Sequence, residues 1–171
     1  MRSRLTIALT GLLALPAGAT GFDVNVEIPR MKVAEYHRPY VAIWIEGADN
    51  KAVADLAVWY MMKDTAEGKG SKWLPDLRQW WRRSGRMLDL PVDGVTGPTR
   101  PAGTQALNID ASDPRLAKLA PGDYTLVVEA VREVGGRELL KIPFKWPAAT
   151  AQSGKAQGSS ELGAVTLSIA P

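Results

Sequence analysis

Thr99 ends the run Asp93-Gly94-Val95-Thr96-Gly97-Pro98-Thr99, inside a segment, residues 89–103, that holds three Pro and three Gly. A threonine hydroxyl is a weak nucleophile and becomes an acceptor only when a second enzyme reaches and activates it. Gly94 and Gly97 permit close approach and unusual φ, while Pro98 and Pro101 bias Gly97 and Arg100 toward extended backbone. Such a loop suits another enzyme's cleft. A plain Pro/Gly loop whose threonines cap turns accounts for the same residues, so both readings stand. Little else competes for chemistry. With no Cys and one His, a thiol redox centre, a Cys-ligated metal and a multi-His metal site within one chain are excluded. A serine triad would hang on His37, which precedes Pro39 and reads as a turn residue. No nucleophile elbow or paired-carboxylate pattern stands out, so we assign no catalytic residue and no metal.

A second stretch, Lys72 to Gly85, concentrates aromatic and cationic side chains. Pro75 and Asp76 suit a first helical turn, and Leu77, Trp80 and Trp81 share one face at i, i+3 and i+4. Arg82 and Arg83 suit a helix C-terminus and Gly85 a stop. Trp80 and Trp81 have two readings: stacking on a flat conjugated cofactor, or packing the helix onto a sheet. The cations Lys69, Lys72, Arg78, Arg82, Arg83 and Arg86 form either a docking surface for an anion or a solvated helix face.

The elements around these stretches are strands. Residues 22–28 alternate apolar and polar, a strand with one wet face. Residues 40–46 (YVAIWIE) read as a buried strand, and turn chemistry at 47–51 joins them to a strand over 53–62. A short strand follows at 105–110; then 124–132 and 137–146 flank Gly135-Gly136 as a hairpin. Residues 165–169 close the chain. Seven short strands and a turn-rich content of 16 Gly and 12 Pro imply an all-β, immunoglobulin-like antiparallel β-sandwich with one short inserted helix. Residues 148–160 (AATAQSGKAQGSS) read as a mobile loop.

The first nineteen residues carry Arg2 and Arg4, an apolar run from Leu5 to Leu15, and Ala17-Gly18-Ala19. That is an export signal, too short for a bilayer span, leaving residues 20–171 as a single domain in the periplasm with no membrane span. Cleavage would remove two Arg and no acid, taking the formal charge from +3 to +1, so the basic balance does not argue for nucleic acid.

The run from Asp93 to Thr99 resembles the acceptor motif of covalently flavinylated bacterial proteins, in which Asp or Ser, Gly or Ala, any residue, Ser or Thr, Gly, a small residue and Thr follow one another. Pro98 stands where the pattern usually has Ala. The resemblance implies that a flavin transferase joins the Thr99 hydroxyl to the phosphate of FMN. It makes Asp93, Gly94, Thr96 and Gly97 positioning residues, with Arg100 able to pair with the phosphodiester. The wider chain resembles a family of bacterial periplasmic proteins of unknown function, often encoded beside PepSY-type membrane proteins and flavin transferases. YVAIWIE (40–46), LAVWY (56–60), LRQWWRR (77–83), DGVTGPTRPAG (93–103) and PGDYTLVVEAVRE (121–133) carry that likeness. It implies a flavin electron carrier serving a PepSY-type membrane reductase, with iron reduction as one setting. The competing expectation, from a different class, is a non-redox immunoglobulin-like adaptor whose contact surface is the Trp80/Arg82 helix.

Overall fold

The run YVAIWIE is buried along its whole length because both of its faces are covered. In the computed structural model, which describes residues 21–64, 66 and 68–171, it is the central strand of a five-stranded sheet. The elements in order are β1 (Gly21–Ile28), β2 (Tyr40–Glu46), β3 (Ala52–Tyr60), α1 (Arg78–Arg83), β4 (Thr96–Pro98), β5 (Gly103–Asp110), α2 (Pro114–Ala117), β6 (Gly122–Val131), β7 (Arg137–Trp146), β8 (Gln152–Gln157) and β9 (Ala164–Ile169). One sheet has the order β5-β1-β9-β8 and the other β4-β3-β2-β6-β7. The export signal at 1–19 lies outside the described residues. Among the described residues no helix is long and apolar enough to cross a membrane.

This is an immunoglobulin-like order with one exchange. β1, β2, β3, β5, β6 and β7 take the places of strands B, C, C′, E, F and G. The edge next to strand B, which the first strand normally fills, is filled by β9 from the other end of the chain, antiparallel to β1. The two expected hairpins, β2–β3 and β6–β7, are both present.

The all-β sandwich with a short helix is borne out; one expectation is corrected and two details are refined. Residues 148–160 are not a loop: β8 pairs with β9 from Gln152 to Gln157. Its sequence has little strand propensity, and the ladder to β9 supplies what propensity lacks. Gly154 is required there, because a Cβ would come within 2.3 Å of Ile142 Cγ2. The sandwich is not wholly antiparallel, since β4, inside the expected loop, pairs parallel to β3. The inserted helix is also broken into three. Residues 70–76 form a 3₁₀ turn, Leu77 breaks it, α1 runs from Arg78 to Arg83, and a second 3₁₀ turn covers 85–87.

Two cores result. Between the sheets lie Phe22, Val41, Ile43, Leu126, Val128 and Phe144 among others. Outside the five-stranded sheet, Tyr40, Trp44, Val58 and Val127 meet Leu74, Leu77, Trp80 and Val95. Three carboxylates on that outer face hold the helical layer. The Glu129 carboxylate, fully buried on β6, accepts the backbone N–H groups of Gln79 (3.1 Å) and Trp80 (2.8 Å) and pairs with Arg137. It thereby caps a helix start that has no side-chain cap of its own. Asp55 on β3 accepts from Trp80 Nε1 and from Ser84 Oγ, each at 2.8 Å. Glu46 on β2 accepts from Trp44 Nε1 at 3.2 Å and from Lys141 Nζ at 2.8 Å, and Arg83 Nε lies 3.5 Å away.

Glu129→Ala should therefore destabilise the protein by about 2–4 kcal/mol, since it orphans two buried N–H groups and a guanidinium. Glu133→Ala, at the exposed hairpin tip, should stay within about 0.5 kcal/mol. Denaturant unfolding of the two variants checks the contrast, and equal effects would refute the capping role.

Candidate functional site

The acceptor-like run is built by short local bonds. The Thr96 hydroxyl accepts the Val92 N–H at 2.8 Å, and the Val95 and Thr96 N–H groups both reach the Val92 carbonyl. Val95 is thereby turned into the outer core. Gly94 takes a left-handed φ of +70°, which favours glycine. From Thr96 onward the chain joins the edge of β3. Gly97 lies over the Trp59 indole, where a Cβ would stand 3.4 Å from Cδ1. The Arg100 guanidinium sits 5.2 Å from the centre of the Trp59 rings, within cation–π range. The Thr99 N–H donates to the Tyr60 carbonyl at 3.2 Å, so the last residue of the run is held at the end of β3.

A distant arginine holds the other end. Arg115, in α2, donates Nη1 to the Gly94 carbonyl at 2.8 Å and to the Leu56 carbonyl of β3 at 2.9 Å. Asp113, the N-cap of α2, accepts from Arg115 Nε at 2.8 Å and Nη2 at 2.7 Å. These bonds to Arg115 hold the Asp113 carboxyl at about 2, below its ordinary 3.8, against a smaller opposing effect of burial.

Thr99 opens onto a cavity of about 640 Å³, within the size range of small-ligand sites. Four structural stretches meet there: the segment before β2 (Tyr36, His37, Arg38), the 3₁₀ turn and helix (Trp73, Asp76, Arg78), Thr99 itself, and the β6–β7 hairpin tip (Arg132 to Arg137). Gly70 lets the turn that carries Trp73 approach the backbone of Met61, since a Cβ would come within 2.0 Å of the Met61 carbonyl oxygen. Tyr40, at the cavity wall, donates its hydroxyl to the Gly70 carbonyl at 3.1 Å, and burial raises its phenol above the usual 10.0. His37 faces Glu35 at 2.9 Å and Glu133 at 3.4 Å. Arg132 and Arg137, also in the lining, are paired with Glu161 and Glu129. Arg38 and Arg78 have no carboxylate within ion-pairing distance among the described residues.

Of the residues that the sequence assigned to a cofactor, Thr99 alone lines this cavity; His37, Asp76 and Arg78, noted there on other grounds, line it too. Asp93 is exposed at the far end of the loop; Gly94, Thr96, Gly97 and Arg100 shape the run along β3. Trp80 is fully buried with its indole N–H held by Asp55, so packing is the role its surroundings display. That burial also removes Trp80 from any contact surface of the adaptor kind. Trp81 is half-buried in a neighbouring depression that shares Arg78 and Arg137 with the cavity. Trp73, Tyr36, Arg38, Arg132 and Val134 were not foreseen. Only Trp73 had a local signal, its place in the Trp/Arg stretch.

The Asp113 value carries a pH signature. A carboxyl whose folded value lies below its unfolded one stabilises above the unfolded value, near 3.8, and loses that contribution as pH falls toward about 2. Asp113→Asn should therefore be less stable than the native chain at neutral pH, and should lose less stability between about pH 4 and pH 2. Denaturant unfolding across that window checks it; parallel curves would overturn the pairing.

A family model described as "Predicted periplasmic protein (DUF2271)" matches residues 21–164, from the first residue of β1 into the start of β9. No curated protein and no solved structure matches the chain. The match spans both sheets, the helical layer and every residue of the cavity, so the chain belongs to this periplasmic family.

Proposed function

We propose that this chain is a periplasmic electron carrier that holds FMN through a phosphate ester to Thr99. The observation that supports it best is the position of Thr99. The one residue that the acceptor motif singles out for attachment is also the one residue of the motif that lines the cavity. The surrounding groups suit the cofactor. Aromatic faces at Trp73 and Tyr36 match a flat conjugated ring. Arg38 and Arg78 are cations without carboxylate partners among the described residues, matched to the charge that a phosphodiester retains.

Attachment would proceed on an activated FMN donor. The bond from Thr99 Oγ1 to phosphorus forms as the bond from phosphorus to the leaving group breaks, and the hydroxyl proton passes to a base of the flavin transferase. The exposed Pro98 and Arg100 on either side leave the backbone accessible to that enzyme. Bound FMN supplies reversible electron transfer, which a chain with no Cys and one His does not otherwise offer. The protein's part is to tether, orient and neutralise. Arg78 and Arg38 offset charge, Trp73 and Tyr36 cover the ring, and Tyr40 stays protonated as a hydrogen-bond donor. In this reading the donor is a PepSY-type membrane reductase and the acceptor lies outside the cytoplasm, with iron reduction as one such pathway.

Co-expression with a flavin transferase, followed by intact mass measurement, tests the proposal. The expected result is a gain of one FMN less one water, absent in Thr99→Ala and kept in Thr104→Ala. No gain, or a gain that survives Thr99→Ala, would refute it.

A further inference from the structure

The tip of the β6–β7 hairpin is strained where a simpler sequence would not be. Val134 takes a φ of +52°. A β-branched residue is a genuine outlier in that region, because its Cβ crowds the following carbonyl. Two glycines stand beside it, yet neither Gly135 nor Gly136 uses a positive φ. They provide room instead. A Cβ on Gly135 would lie 2.6 Å from the Arg132 guanidinium carbon, and one on Gly136 would lie 3.0 Å from Glu161 Oε1. Val134 is 75% exposed, so the fold gains no burial from keeping a valine there. Backbone strain of this kind gathers at binding sites, where the side chain's contact offsets it.

Val134 lines the cavity, together with Tyr36 and Trp73, which are 39% and 42% exposed. The lining thus combines large, exposed apolar groups with guanidinium groups. Arg132 adds an unusual feature. It is nine-tenths buried against Glu161, and its Nη1 has no hydrogen-bond partner. That nitrogen has no accessible surface, so Arg132 belongs to the wall that its pair with Glu161 builds and not to the groups that meet a ligand.

We propose that this cavity binds a planar aromatic anion without any covalent link: Tyr36, Trp73 and Val134 cover its ring, and Arg38 and Arg78, cations with no carboxylate partner among the described residues, receive its anionic group. The inference takes the same cavity as the flavin reading for its working site, but does not require the ester at Thr99.

Protein made without a flavin transferase is titrated with FMN as the probe, with riboflavin as its uncharged counterpart, by calorimetry. FMN should bind once per chain and about tenfold more tightly than riboflavin, a difference that Arg78→Ala abolishes. Trp73→Ala should weaken both ligands about tenfold. Val134→Asn should raise the melting temperature by about 2–4 °C, because Asn tolerates this φ, and should weaken both ligands. Thr104→Ala, on β5 and outside the cavity, should bind as the native chain does. The absence of saturable FMN binding, equal affinities for FMN and riboflavin, or a stabilised Val134→Asn with unchanged affinity would each overturn the proposal. The two readings separate cleanly. Binding without an FMN mass gain sinks the ester and keeps this site; a mass gain on a chain that does not bind free FMN does the reverse.

Discussion

A carboxylate taken out of water must find donors, and Glu129 on the outer face of the five-stranded sheet finds them in the backbone of the helical layer. That requirement organises the molecule. Glu129 accepts the N–H groups of Gln79 and Trp80, Asp55 accepts the Trp80 indole, and Glu46 gathers Lys141 and Arg83. An apolar sheet face alone would let the helical layer slide. Charged acceptors at fixed positions on β2, β3 and β6 allow one placement, because any other would leave a buried charge uncompensated. The six-residue helix is too short to be stable by itself, so it exists as a consequence of this docking.

Docking in turn creates the cavity. Trp73 and Arg78 belong to the layer that Glu129 positions, and Arg137, which pairs with Glu129, lines the same space. A second buried pair, Arg132 with Glu161, ties the hairpin tip to the segment before β9. Two of the cavity's arginines are therefore held in ion pairs, while Arg38 and Arg78 have no carboxylate partner among the described residues. Thr99 reaches the same space by an independent route, as the residue after a three-residue strand clamped to β3 and braced by Arg115.

The closure of the other sheet shows a similar economy of means. β9 lies beside β1 where an immunoglobulin-like domain usually places its first strand, and β8 extends the sheet with a sequence of weak strand character. The strand β1 is thereby an interior strand of its sheet, flanked by β5 and β9.

The periodic features could be read directly along the chain. The alternation in β1, the unbroken apolar run in β2 and the turns between hairpin strands declared a sandwich, since burial imposes a period on neighbouring residues. The Asp93–Thr99 run was legible for the same reason: its chemistry is local. β8 was not legible, because a strand of Gln, Ser, Gly, Lys and Ala forms only when a partner offers a ladder. Nor was the role of the buried acids. Glu46 and Glu129 look in sequence like ordinary polar positions in strands, and only the docked helix shows what they accept. Tertiary structure alone brought Thr99, Trp73, Arg38 and Val134 to one cavity, from segments far apart along the chain. Such a meeting is set by sheet order and by the partners that buried charges demand, and neither leaves a period or a spacing for the sequence to display.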